Sequence, residues 1–232
     1  MVVIILARGG SKGLPNKNIK MLGNKCMSHH AIDALMKSSL DCNIIYSSDN
    51  KKYLSLAEEF VRTLFADKVT SFISHIRSSQ SANDHASSWE AVAEIINELE
   101  IQNDIPILLI SGVCPAITPN DIDTFIDRVK NARSGLSVRL NDYPVESTFF
   151  INKDGYVEPH ALTKKISARQ HAKIIYRPDG HLYFRIAGDI KNGCTFPDKD
   201  TISVDLFKDY YINIDTSADF EYAKYIMEYR ND

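Results

Sequence analysis

The chain has 232 residues, 44% of them hydrophobic, and a formal net charge of -3. That is enough for one sizeable α/β domain with a small appended lobe, and too little for two large ones. Its charges form no basic block or stripe, which argues against nucleic acid as a partner, and no apolar run approaches the roughly 20 residues that span a bilayer.

The apolar run 1–6 is short, has no basic segment before it and meets Arg8, so it reads as a buried strand and not as a signal peptide. A soluble, cytoplasmic protein is the expectation. Cys26, Cys42, Cys114 and Cys194 form no CxxC pair and read as incidental thiols of a reducing compartment, with Cys114 distinguished by following a predicted strand.

The spacing of apolar residues predicts a strand at 2–6 that runs into Gly9 and Gly10, then a helix over 28–39 carrying Ile32, Leu35 and Met36, and a strand at 42–46. Helices at 53–65 and 88–99 follow, the second opened by Ser87 and Ser88, and then a strand at 105–110. Thr118-Pro119-Asn120-Asp121 caps a helix to about 132, and a strand follows at 135–140. This alternation predicts a mainly parallel sheet with flanking helices. Over 141–200 the rhythm changes, with Pro144, Pro159, Pro178 and Pro197 among short β segments such as 180–186. That predicts a hairpin lobe inserted over the sheet edge. A last strand at 210–215 and a helix at 217–229 close the chain as a single domain.

The loop after the first strand gathers Gly9, Gly10 and Gly13 with Arg8, Lys12, Lys17, Ser11, Asn16 and Asn18. Glycines let backbone N–H groups approach phosphate oxygens, and the cations neutralise charge as pyrophosphate leaves. The pattern is neither a Walker A loop nor a GxGxxG turn; it reads as a phosphate-binding loop, with a solvated basic turn that merely links strand to helix as the alternative.

Residues 7–18, Ala-Arg-Gly-Gly-Ser-Lys-Gly-Leu-Pro-Asn-Lys-Asn, resemble the signature of the acylneuraminate cytidylyltransferases, the CMP-sugar synthetases. Three further segments resemble that family in the same order: 77–88 from Arg77 to Ser88, 169–183 with Arg169, Gln170 and Tyr183, and Asn213-Ile214-Asp215-Thr216. The resemblance implies a Rossmann-like three-layer nucleotidyltransferase fold with an inserted β-hairpin dimerisation lobe at 141–200, and a homodimer. It implies transfer of CMP from CTP to an acidic 2-keto sugar, with Mg²⁺ as cofactor.

By the same resemblance, Arg8 and Lys17 grip the phosphates, and Leu6, Ala7, Gly9, Gly10, Ser11 and Lys12 shape the nucleotide loop. Asn18 reads the cytosine, while Arg77 and Ser87 lie near the cytidine. Asp215 and Asn213 hold the metal, and Ser111, Arg169, Gln170 and Tyr183 border the sugar. For Lys12 a solvated side chain is the alternative, for Arg169 and Gln170 a surface ion pair, and for Asp215 a helix cap, although Thr216 or Ser217 serves that role better.

The chain departs from the family pattern at three places. Residues 111–117, Ser-Gly-Val-Cys-Pro-Ala-Ile, replace Gln-Pro-Thr-Ser-Pro-Leu-Arg, Glu146 replaces a Lys after Tyr143-Pro144, and Asn213 replaces the first metal-motif Asp. These cluster at the sugar and metal end, which fits either an unusual nonulosonate substrate or a catalytically weakened nucleotide-binding homologue. A nicotinamide dehydrogenase shares the strand-loop-helix opening, but Ser47-Ser48-Asp49 supplies only part of its pattern. A guanylyl- or uridylyltransferase is a further alternative.

Overall fold

The computed structural model describes residues 1–11, 13–83, 86–163, 172–193, 196–206 and 211–229, with backbone alone at 68–70. Strand β1 (Val2–Leu6) leads through a long loop to a 3-10 turn at Lys17–Ile19, a small ribbon of β2 (Met21–Leu22) and β3 (Lys25–Cys26), and helix α1 (His29–Lys37). Then come β4 (Asn43–Ser48), α2 (Lys51–Leu64), β5 (Phe72–Ile76), α3 (Ser88–Glu98), β6 (Pro106–Ser111), α4 (Pro119–Val129) and β7 (Ser134–Leu140). A second ribbon pairs β8 (Phe150–Ile151) with β9 (Val157–Glu158), followed by β10 (Tyr176–Ile186), α5 (Ala187–Lys191), β11 (Ile202–Asp205) and α6 (Ser217–Tyr229).

Seven strands form one sheet in the order β11-β7-β10-β6-β1-β4-β5. All neighbours are parallel except β10, which runs antiparallel to both β6 and β7. Val3 and Ile5 of β1 pack with Ile32 and Leu35 of α1, Tyr53 and Val61 of α2, and Phe125 of α4. Val2 and Ile4 pack against Val92 and Ile95 of α3 and Ile190 of α5. Helices cover both faces, so β1 needs apolar residues at every position, and this is why it reads as an unbroken run. A third cluster joins Leu14 of the β1 loop to Ile212, Ile214 and Phe220 near the C-terminal end.

Two expectations need correction. Residues 180–186 belong to no peripheral lobe: they form the end of β10, threaded between β6 and β7 in the main sheet. Pro178 is tolerated there because the register with β7 shifts between Pro178 and Tyr183, and Gly180 takes φ +89 at that bulge. Within 141–200 the hairpin is the two-stranded β8–β9 ribbon. Residues 211–215 form no strand among the described residues, although Ile212 and Ile214 are buried in alternation, because their carbonyls are taken by side chains. Edge strands β5 and β11 had no prediction, being short and mixed in polarity.

The caps follow the sequence signals. Ser87 and Thr118 each complete a capping box, with Glu90 and Asp121 respectively, and Thr216 exchanges hydrogen bonds with Asp219 at the start of α6. Among the described residues no helix is long and apolar enough to cross a membrane. Cys114 is fully buried, and burial pushes its thiol well above the usual range, so it is no nucleophile.

Candidate active site

The C-terminal ends of parallel strands β1 and β6 lie side by side, with Leu6 in register with Ser111, and the loops that leave them open a cleft of about 560 Å³. Leu6, Arg8, Ser11, Lys17 and Asn18 line it from the first loop, Arg77 and Ser87 from the segment before α3, Ser111 from β6, and Asp215 from the C-terminal segment. Four stretches separated by up to two hundred residues therefore share one wall. A second cavity of about 440 Å³ shares Leu6, Ser88 and Ser111 with the first and holds Tyr183.

The loop is folded by its own polar groups. Asp49 accepts a hydrogen bond from the Gly9 N–H at 2.7 Å, so that N–H is engaged and Asp49 acts as a loop tether. The Asn18 side chain donates to the Arg8 carbonyl at 2.9 Å, and the Ser28 hydroxyl holds the Asn18 carbonyl at 2.9 Å. Asn18 is buried, and its Oδ1 has no hydrogen-bond partner among the described residues. A buried acceptor without a donor points to a ligand donor in the cleft. Arg8 donates to the Asn83 carbonyl at 3.3 Å. Arg77 donates to the Ser47 carbonyl at 3.2 Å; burial lowers its pKa, and Asp49 and Glu94 oppose that shift.

Lys17 Nζ is the pivot of the cleft. It donates to the Ile214 carbonyl at 2.7 Å and to Asp215 Oδ1 at 2.9 Å, while Asn213 Nδ2 donates to Asp215 Oδ2 at 3.2 Å. Gly13 packs so closely on this segment that a Cβ there would fall onto the Asp215 carbonyl. The carboxylate of Asp215 and the amide oxygen of Asn213 are hard oxygen donors, which suits Mg²⁺, an ion that takes one or two carboxylates and completes its shell with phosphate oxygens and water. Among the described residues, a second possible metal-ligand group, His75 with Glu94 and Glu98, includes neither residue.

The second cavity is walled by Trp89, Tyr183 and Phe196, whose rings meet edge to face at centroid distances of 6.1, 5.3 and 6.0 Å. Trp89 and Phe196 were not singled out in the sequence, and Gly13, Ser81, Asn83 and Gly112 fell within the segments named there without a site role of their own. The third glycine of the loop and the lone tryptophan were the available signals. Gly10 is exposed, Ala7 is buried and does not line the cleft, and Lys12, Arg169 and Gln170 lie outside the described residues.

A cytidylyltransferase family model matches residues 2–226, and the chain belongs to that family of nucleotidyltransferases, whose nucleotide is CTP. It is 25% identical to a pseudaminic acid cytidylyltransferase of Campylobacter jejuni, covering 97% of this chain and 95% of that one. It is 23% identical to an N-acylneuraminate cytidylyltransferase of Streptococcus agalactiae, covering 94% of this chain but 51% of that protein, so it spans about half of that relative's length. The fold is that of a CMP:2-keto-3-deoxy-manno-octonic acid synthetase solved with CTP, at TM-score 0.68 and 15% identity over 99% of this chain and 98% of that one.

Gly13 gives a direct test of the loop. Gly13→Ala must push the loop or the 213–215 segment aside, and overpacking of this kind should weaken CTP binding by about tenfold. Calorimetric titration with CTP measures it, and an unchanged Kd would mean that the two segments separate at no cost.

Proposed function

We propose that the chain transfers CMP from CTP to the anomeric hydroxyl of an N-acylated 2-keto sugar acid, releasing pyrophosphate, and that it works as a homodimer. The observation that carries this reading is the pair of adjoining cavities, one lined by Arg8, Lys17 and Asp215 and the other by an aromatic box, which meet at Leu6, Ser88 and Ser111. A nucleotide in the first and a sugar in the second would meet at that shared edge, which aligns the hydroxyl with the α-phosphorus.

The anomeric hydroxyl forms its bond to the α-phosphorus and gives up its proton to solvent as the bond from that phosphorus to the oxygen shared with the β-phosphate breaks. Arg8 and Lys17 stabilise charge on the departing pyrophosphate. Asp215, with Asn213 beside it, would hold Mg²⁺, whose charge neutralises the phosphate oxygens. Asn18 Oδ1 accepts from the cytosine amino group. Trp89, Tyr183 and Phe196 favour a sugar with acyl or methyl arms over a purely hydroxylated one, since a desolvated hydroxyl without a partner is costly. Arg169 and Gln170 remain the proposed partners of the sugar carboxylate, on their sequence context and the bidentate fit of guanidinium to carboxylate.

The homodimer reading is supported by the β8–β9 ribbon, where Phe150 is 62%, Ile151 69% and Tyr156 72% exposed. Light scattering is expected to give twice the chain mass, and Ile151→Asp to shift it toward one. A monomer at micromolar concentration would overturn the assembly.

Pyrophosphate release from CTP and Mg²⁺, measured against N-acetylneuraminic, pseudaminic, legionaminic and ketodeoxyoctonic acids, tests the reaction. Release with an N-acylated acid is expected. CTP binding without release from any acid would favour a nucleotide-binding homologue that the changes at 111–117 and Asn213 have disabled.

A further inference from the structure

Residues 211–215 reach the cleft in an unusual way. Ile212 and Ile214 are buried as in a strand, yet no backbone hydrogen bond among the described residues joins 211–215 to a neighbouring strand. Two side chains take the carbonyls instead. Lys17 Nζ donates to Ile214 O at 2.7 Å, and His181 Nε2 lies 3.0 Å from Ile212 O. A carbonyl can only accept, so Nε2 carries the hydrogen. Tyr211 adds a third tie, its hydroxyl donating to the Asp179 carbonyl at 2.8 Å.

The two staples differ in what else competes for them. Lys17 lines the nucleotide cleft and also bonds Asp215 Oδ1. His181 is wholly buried at the β10 bulge, where Asp179 Oδ1 accepts its backbone N–H at 2.9 Å and the Ser137 hydroxyl at 2.5 Å. A polyphosphate can draw Lys17 away and cannot reach His181.

We propose that His181 is the positioning residue for Asp215, holding the 212–215 segment in register when a triphosphate draws Lys17 off Ile214 and Asp215. This rests on the roles given above to Lys17 and Asp215. It makes the exchange productive: Lys17 moves to phosphate, the Asp215 carboxylate is released toward the cleft, and the backbone beneath it stays where the β10 bulge puts it. The same bulge borders the second cavity through Pro178 and Gly180, so both ends of the site are referred to one rigid feature.

The test compares His181→Phe, which keeps a ring of similar size without a donor, with His181→Gln, whose amide nitrogen reaches about as far as Nε2. With CTP bound, hydrogen exchange over 213–216 should be about tenfold faster in His181→Phe and near wild type in His181→Gln. The kcat for pyrophosphate release should fall about tenfold in His181→Phe, with KM for CTP little changed, because the side chains placed on the base and phosphates come from the β1 loop and the segment before α3. The same two substitutions in a Lys17→Met background, without nucleotide, should reproduce the exchange difference. That arm needs no substrate, so it reads His181 even if wild type releases no pyrophosphate, an outcome that would sink only the proposed reaction. Equal exchange for the Phe and Gln variants in that background would overturn the positioning role. So would faster exchange across the whole chain together with a large fall in Tm.

Discussion

Lys17→Ala is expected to lower kcat/KM for pyrophosphate release by about 10²–10³, the usual cost of removing one preorganised charge from a site where charge develops. Its Nζ stands between the nucleotide loop and the C-terminal segment, within 3 Å of both Ile214 O and Asp215 Oδ1, with the side chain 13% exposed. A cation there is desolvated enough to act strongly on a phosphate and close enough to the surface of the cleft to reach one. The effect should be catalytic and not structural. Asp215 is 67% exposed, and an ion pair with one such partner contributes on the order of 1 kcal/mol or less to stability. Tm should therefore move by only a few degrees, as measured by calorimetry. Lys17→Arg should rescue little, because the bulky fork cannot replace a point charge aimed at one carbonyl and one carboxylate oxygen. A variant that retains most of its activity would remove Lys17 from the reaction and leave it as a strut for residues 214 and 215.

The part of the fold that the sequence predicted well is the part whose sequence signal is local. β1, α1, α2, α3, α4 and α6 lie within a few residues of their predicted limits, because β1 is an unbroken apolar run and each helix carries a periodic apolar face with a nearby cap or breaker. β10 was misplaced for the opposite reason. Which strands it joins is not written in its own residues: nothing in Leu182, Tyr183 and Phe184 distinguishes a ribbon from an antiparallel strand threaded into a parallel sheet. Residues 211–215 show the same limit at smaller scale. The alternation of Ile212 and Ile214 is that of a strand, and only the three-dimensional arrangement reveals that Lys17 and His181 replace the neighbouring strand. For the site, the first, second and fourth motifs share one cleft, which brings Arg8, Lys17, Asn18, Arg77 and Asp215 together with Ser111 of β6, while the third contributes Tyr183 to the second cavity and its Arg169 and Gln170 lie outside the described residues. Trp89 and Phe196 escaped notice because an aromatic residue in sequence reads as core until its neighbours are known.

Asn18→Ala is expected to raise KM for CTP by about ten- to a hundredfold and to erase most of the preference for CTP over UTP, the range set by losing one buried hydrogen bond to a base edge. The orientation of the side chain is fixed by the Arg8 carbonyl, which accepts from Nδ2 at 2.9 Å and would repel an oxygen in its place. Oδ1 must then be the free atom, buried and without a donor among the described residues. Cytosine presents an amino donor at its fourth position, where uracil presents a carbonyl that would face Oδ1 oxygen to oxygen. Ser28 keeps the Asn18 backbone in place, its hydroxyl 2.9 Å from the Asn18 carbonyl and 2.8 Å from the Tyr46 hydroxyl, so the acceptor is aimed before the base arrives. Asn18→Asp sharpens the test. It keeps an acceptor for the amino group, loses the donor to Arg8 and sets a carboxylate against that carbonyl, so CTP binding should weaken while the preference for CTP persists. Competition assays with CTP and UTP against the three proteins read both numbers. Loss of affinity with an unchanged CTP to UTP ratio in Asn18→Ala would show that Asn18 shapes the loop and that the base is read elsewhere in the cleft.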